Sequence, residues 1–298
     1  MTSIMIQGTT SSAGKSTICT GLCRIFKKDG FKVYPFKSQN MSSKFYTTED
    51  GGKISTAQAL QAMAAGVEPH HNMNPILLMP KTETGSMVVL NGREKEHMEA
   101  VEYFKFKADL KPMIKEIYEK IESQNDIVVI EGAGSPAEIN LKENDIVNMG
   151  MAQMADAPVL LVADIDRGGV FASLYGTVML LEKHERKRIK GLIINKFRGD
   201  KSLLDSGIKM IEDLLDIPVI GTVPFISIDL ANEDSLDDVG KGLNYENQNG
   251  EKIEQEIDKL AETLKGSLDI QYLYKIMGLE DTKAPSVHWK KGDKNHSS

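Results

Sequence analysis

The residues best equipped for chemistry stand near the start of the chain. Gly8-Thr9-Thr10-Ser11-Ser12-Ala13-Gly14-Lys15-Ser16-Thr17 follows the apolar run Ser3-Ile4-Met5-Ile6 and leads into Ile18 to Phe26. A short buried strand, a loop of small residues and a helix start turn backbone N–H groups and the positive end of a helix dipole toward an anion. Gly8, Thr9, Ser11, Ala13, Gly14 and Thr17 would form the cradle. Lys15 would reach the β- and γ-phosphates, and Ser16 would give an oxygen to Mg²⁺. The chemistry implied is that of ATP with Mg²⁺. Five residues separate Gly8 from Gly14, one more than G-x-x-x-x-G-K-[ST] allows.

Further candidates sit at the ends of other apolar runs. Asp126-Ile127-Val128-Val129-Ile130 delivers Glu131, followed by Gly132-Ala133-Gly134. Glu131 is the second candidate Mg²⁺ ligand, with a salt-bridged or capping acid as the plain alternative. Phe31 to Lys37 reads as a strand that brings Lys37, Gln39 and Asn40 to the rim of the phosphate loop. Asp145 either orients substrate or metal or caps a helix running through Ala155. Arg167, after Asp164 and Asp166, suits a phosphate or carboxylate, or an ion pair with those acids. Asn195 and Arg198, at the end of the strand Lys190 to Asn195, are placed to read a nucleotide base.

Strands alternating with helices from Ser3 to Phe225 imply an α/β fold, a doubly wound, mostly parallel sheet with one ligand rim. Within it, Ile54 to Gly66 is expected as a helix, Met87 to Leu90 as a strand before the turn Asn91-Gly92, and Glu94 to Glu122 as a charge-laced helical stretch. Adjacent His70 and His71 read as surface residues of a loop. Cys19 and Cys23, the only cysteines, lie four apart on one helix and are expected to pack rather than bind metal. The domain reading is 1–228 for the nucleotide domain, 229–250 for an acidic, Asn- and Gly-rich linker, 251–277 for a C-terminal helix and 278–298 for a polar tail. That helix carries a stripe of Ile253, Ile257, Leu260, Leu264 and Leu268 that needs a partner surface.

The 298 residues are 41% hydrophobic and 27% charged, with a formal charge of −7. Such a balance argues against nucleic-acid or anionic-membrane partners. No apolar run reaches the ~18 residues of a membrane span, and no leader is evident, so a cytoplasmic enzyme is expected.

The segments Pro35 to Ser42, Ala57 to Ala62, Ala65 to Pro69, Met73 to Leu78, Glu131 to Leu141, Asp145 to Gly150 and Asp164 to Ala172 closely resemble cobyric acid synthases, the glutamine-dependent amidases of cobalamin biosynthesis. The longer phosphate-loop spacing is likewise that of ATP-dependent carboxylate-activating enzymes. The resemblance implies a dethiobiotin-synthetase-like core. In it Mg·ATP phosphorylates carboxylates of a corrin, cobyrinic acid a,c-diamide, and ammonia then displaces phosphate. It casts Lys15, Lys37 and Asp145 as catalytic, Asn195 as the adenine reader, and Gln39, Asn40, Gln58 and Arg167 as substrate contacts. The glutaminase domain of full-length members has no counterpart here, so ammonia is expected free or from a separate glutaminase subunit; a homodimer is also expected. A partitioning-type regulatory ATPase and a non-catalytic nucleotide-binding subunit are the alternatives.

Overall fold

The computed structural model describes residues 2–226 and 250–280. The chain opens with β1 (Thr2–Gly8), α1 (Lys15–Lys28), β2 (Val33–Phe36), β3 (Gln39–Met41), β4 (Phe45–Thr47), β5 (Lys53–Ser55) and α2 (Thr56–Ala65). Then come β6 (Ile76–Pro80), β7 (Gly85–Leu90), β8 (Arg93–Glu99), α3 (Ala100–Phe106), α4 (Lys111–Glu122), β9 (Ile127–Glu131), α5 (Met149–Met154) and β10 (Val159–Asp164). The remainder is α6 (Val170–Leu180), α7 (Lys183–Arg186), β11 (Ile189–Phe197), α8 (Asp205–Leu215), β12 (Val219–Pro224), α9 (Gly250–Lys265) and α10 (Ile270–Ile276).

Strands that carry apolar residues at successive positions must be covered on both faces, and runs such as Ile4-Met5-Ile6, Ile127 to Ile130, Val159 to Ala163 and Leu192 to Ile194 build the central sheet. Its order is β12-β11-β10-β1-β9-β2, and every pairing is parallel. Successive side chains enter opposite cores. Ile4, Ile6, Val129, Leu160 and Val162 pack with Ile18, Leu22 and Phe26 of α1, whereas Met5, Val128, Ile130 and Leu161 pack with Ile114 and Tyr118 of α4 and Leu174 of α6. The doubly wound α/β architecture is thus present, with β1 in the middle and its carboxyl end on the shared rim.

A second sheet, β3-β6-β7-β8, extends from this rim. Here the structure departs from the helical reading of Glu94 onward, because Arg93–Glu99 is a strand antiparallel to β7. Asn91 and Gly92 both have positive φ, 48° and 77°; two such residues make the tight turn whose twist favours a hairpin. Since β8 is exposed along nearly its whole length, it carries no apolar alternation to betray it, and its charges suit a sheet edge. The helix expected from Ile54 starts at Thr56, where Ser55 caps it by accepting from the amide of Gln58.

The expected C-terminal helix is two helices. They break where Leu268 bridges Gly221 and Asp269 caps α10. Ile257, Leu260 and Leu264 are fully buried against α1. A Cβ on Gly21 would lie 2.2 Å from Leu264 Cδ1, so glycine lets α1 and α9 approach. Arg24 pairs with Glu254 at 2.6 Å, and Thr2 Oγ1 donates to the carbonyl of Met277 at 3.0 Å. Apart from Gly250, the expected linker 229–250 lies outside the described residues, as does the tail beyond residue 280. No described helix is long and apolar enough to cross a membrane.

Candidate functional site

The phosphate loop is held from beneath by β11. Gly14 caps α1 with φ 96° and ψ 27°, a left-handed backbone that favours glycine. A Cβ there would fall 2.1 Å from Asn195 Nδ2. That amide donates to the carbonyl of Ala13 at 2.9 Å, and Lys196 Nζ donates to the carbonyl of Ser12 at 2.7 Å while pairing with Asp164 at 2.9 Å. Thr9, also buried, donates its amide to the carbonyl of Val162 at 2.9 Å. Lys15 is buried, its ammonium donating to the carbonyls of Thr10, Ser11 and Gly134 at 3.0 Å each. An ammonium satisfied by neutral carbonyls can exchange them for phosphate oxygens, which bind a cation more strongly.

Glu131 gathers the opposite wall. Its Oε1 accepts from Ser16 Oγ at 2.8 Å and from Lys37 Nζ at 2.8 Å, and its Oε2 accepts from Gln61 Nε2. Lys37 and Glu131 are both buried, so the pair is shielded from water. The Ser16 hydroxyl and the Glu131 carboxylate bring two hard oxygens together at the start of α1, a donor set that fits Mg²⁺. The ammonium of Lys37 lies on the same oxygen that a cation would use. Burial, with the charge of Glu131 second, pushes the Cys19 and Cys23 thiols well above their ordinary range, in keeping with packing.

Beside the loop lies a cavity of about 290 Å³. Ser11 and Gly134 form its border with the phosphate loop, while Gln39, Lys107, Asp145 and Asn148 contribute to its other walls. Gln39 accepts from the hydroxyl of Tyr103 at 2.6 Å. Asp145 Oδ1 accepts from the amides of Val147 and Asn148 at 2.8 and 2.9 Å, and Oδ2 from that of Gly150 at 2.9 Å. It therefore organises the start of α5 as a cap would, while lining the cavity.

The rim thus brings together Lys15, Ser16, Lys37 and Glu131, and places Gln39 and Asp145 beside the cavity. Asn40 is buried. Gln58 differs from expectation: it is fully buried and reaches Glu131 only through Gln61, to which it donates at 3.4 Å. One helical turn decides which of the two glutamines meets the carboxylate, and the pattern Gln58-Ala59-Leu60-Gln61 shows only that they share a face. Asn195, expected at a base, spends its amide nitrogen on the loop. Arg198 is exposed, with its guanidinium over the Phe225 ring at 3.5 Å. Arg167 is exposed too, 3.9 Å from Asp164. His70 and His71, expected at the surface, are half-buried and stacked at 4.0 Å, with His71 Nδ1 2.9 Å from Asp50. Lys196, within the segment 195–198 expected at a base, instead braces the loop, and Lys107 is a site residue that the sequence does not single out, since it sits in a lysine-rich stretch that reads as solvated surface.

The chain is 57% identical to a cobyric acid synthase of Streptococcus sanguinis over 82% of its length and 49% of the relative's. It is 50% identical to that of Limosilactobacillus reuteri over 98% of its length and 60% of the relative's. It therefore spans about half to three-fifths of these relatives. Among solved structures it is similar to the MinD cell division protein of Aquifex aeolicus, with 15% identity, a TM-score of 0.41 and coverage of 89% of this chain and 98% of that one. Residues 4–236, more than half of the chain, match the family described as the CobQ/CobB/MinD/ParA nucleotide binding domain. The chain belongs to that family.

Proposed function

We propose that the chain carries the synthetase activity of a cobyric acid synthase, the ATP-dependent amidation of corrin side-chain carboxylates from cobyrinic acid a,c-diamide toward cobyric acid. The observation that carries this reading is the cavity opening onto the phosphate loop at Ser11 and Gly134, which gives a second substrate room beside a γ-phosphate. The names of the relatives supply the substrate class. A carboxylate oxygen attacks the γ-phosphorus and the bond to ADP breaks, leaving an acyl phosphate. Ammonia then attacks the acyl carbon, phosphate leaves and a proton passes to solvent.

In this scheme Lys15 turns from its three carbonyls to the phosphates, and Lys37 neutralises charge on the transferred group. Mg²⁺ held by Ser16 and Glu131 would supply further positive charge there. Asp145 shapes the wall of the acceptor cavity. Gln39, Asn40 and Arg167 bind on the substrate side, and Thr17, Asn195 and Arg198 on the nucleotide side. The ligase domain is residues 1–228, acting in the cytoplasm as a homodimer, with ammonia taken free or from a separate glutaminase.

Phosphate release from Mg·ATP with the diamide, compared between ammonium and glutamine, tests the proposal. Turnover with ammonium alone is the expected result. Absence of corrin-stimulated turnover with either nitrogen source would overturn it and favour a regulatory ATPase.

A further inference from the structure

Lys107 follows α3 in a single tight turn and is only 7% exposed. Most buried lysines are paired, because an ammonium loses its hydration on burial. Among the described residues, no carboxylate lies within ion-pair distance of this one; its recorded contact is the ring of Phe104, 5.8 Å away. Burial lowers its pKa, against the more distant pull of Asp145 and Glu138. What the side chain does face is the cavity beside the phosphate loop.

The other charges on the cavity wall are already engaged. Lys142 pairs with Glu182 and Glu185 at 2.8 Å each. Glu185 also accepts from the amide of Glu182, and Glu138 from that of Ser135 at 3.2 Å. Asp145 is held by three backbone amides. Among the described residues Lys107 is therefore the wall charge without a hydrogen-bonded or ion-paired partner, in a space continuous with the loop that grips Lys15.

We propose that Lys107 is the seat for a carboxylate of the second substrate, holding that anion in the cavity that opens onto the phosphate loop. This rests on the amidation reading above and adds the residue that selects an anionic acceptor. A carboxylate bound there would give the ammonium the counter-charge that the protein withholds, so the gain is realised on binding.

The test compares the 298-residue protein with Lys107→Met and Lys107→Arg by titration with cobyrinic acid a,c-diamide and, separately, with a non-hydrolysable Mg·ATP analogue. Lys107→Met is expected to weaken diamide binding by about tenfold or more, Lys107→Arg to stay within about threefold, and both to bind the analogue as the native protein does. Unchanged diamide affinity in Lys107→Met would overturn the proposal, as would equal weakening of the analogue. If the native protein binds the analogue but no diamide, the corrin reading fails on its own. Acylation of Lys107, mapped by peptide mass with citrate as carboxylate probe, then decides: protection by citrate supports the seat, and unaltered labelling removes it.

Discussion

Lys37 and Lys107 are both buried lysines on the rim of one site, and they are handled in opposite ways. Lys37 directly follows the edge strand β2 and meets Glu131 at 2.8 Å, in a cluster where Ser16 and Gln61 complete the carboxylate's bonds. Lys107 stands on a short turn between helices and faces a cavity, with no carboxylate of the described residues within ion-pair distance. The charge of Lys37 is balanced by a carboxylate of the protein itself, whereas that of Lys107 is left for a ligand. The difference separates a preorganised part of the site from one completed by its substrate.

Glu131→Gln is the strongest way to break this contrast. It removes the carboxylate proposed to hold Mg²⁺ and leaves Lys37 buried opposite a neutral amide, and ATP turnover is expected to fall by roughly 10³-fold, measured as phosphate release. Lys37→Met leaves Glu131 as the unpaired charge and should cost roughly 3–5 kcal/mol in denaturant unfolding. Lys107→Met removes a buried charge that has no close counter-ion, so its stability should stay within about 1 kcal/mol of the native protein or exceed it. A loss as large as that for Lys37→Met would show that the two lysines are structurally alike.

The smallest effect is in pH. Because the folded pKa of Lys107 lies below its unfolded value, the unfolded chain holds more protons in the window between them. Stability contributed by this residue therefore rises with pH as the folded group deprotonates. Any stability advantage of Lys107→Met should accordingly shrink from neutral pH toward about 10, the usual lysine range. A constant difference across that range would assign the advantage to packing instead.

Much of the nucleotide side is legible in the chain itself. Glycine, lysine and serine must follow an apolar strand there, and a carboxylate ending another apolar run can only emerge on the same rim of a parallel sheet. The rest is less legible for physical reasons. Whether Gln58 or Gln61 meets Glu131 depends on helix rotation set by packing. Lys107 is one of several lysines among charged neighbours, and a single tight turn, invisible to periodicity, aims it inward. The strand Arg93–Glu99 has no buried face to create an alternating pattern, so only the Asn91-Gly92 turn hinted at it. The break between α9 and α10 reflects one tertiary contact, Leu268 on Gly221.

The packing of α9 and α10 against α1 also bears on how the molecule is made. The core beneath the phosphate loop is lined by residues near position 20 and closed by residues near 260, with Thr2 tied to Met277. On the ribosome the first strand and helix must wait with an open apolar face until more than two hundred further residues have been synthesised. Contacts this distant in sequence are slow to form and leave sticky surface exposed meanwhile. A chain interrupted before residue 250 would keep its phosphate loop yet lack its lid of helices, and such a fragment is a natural substrate for chaperones and proteases.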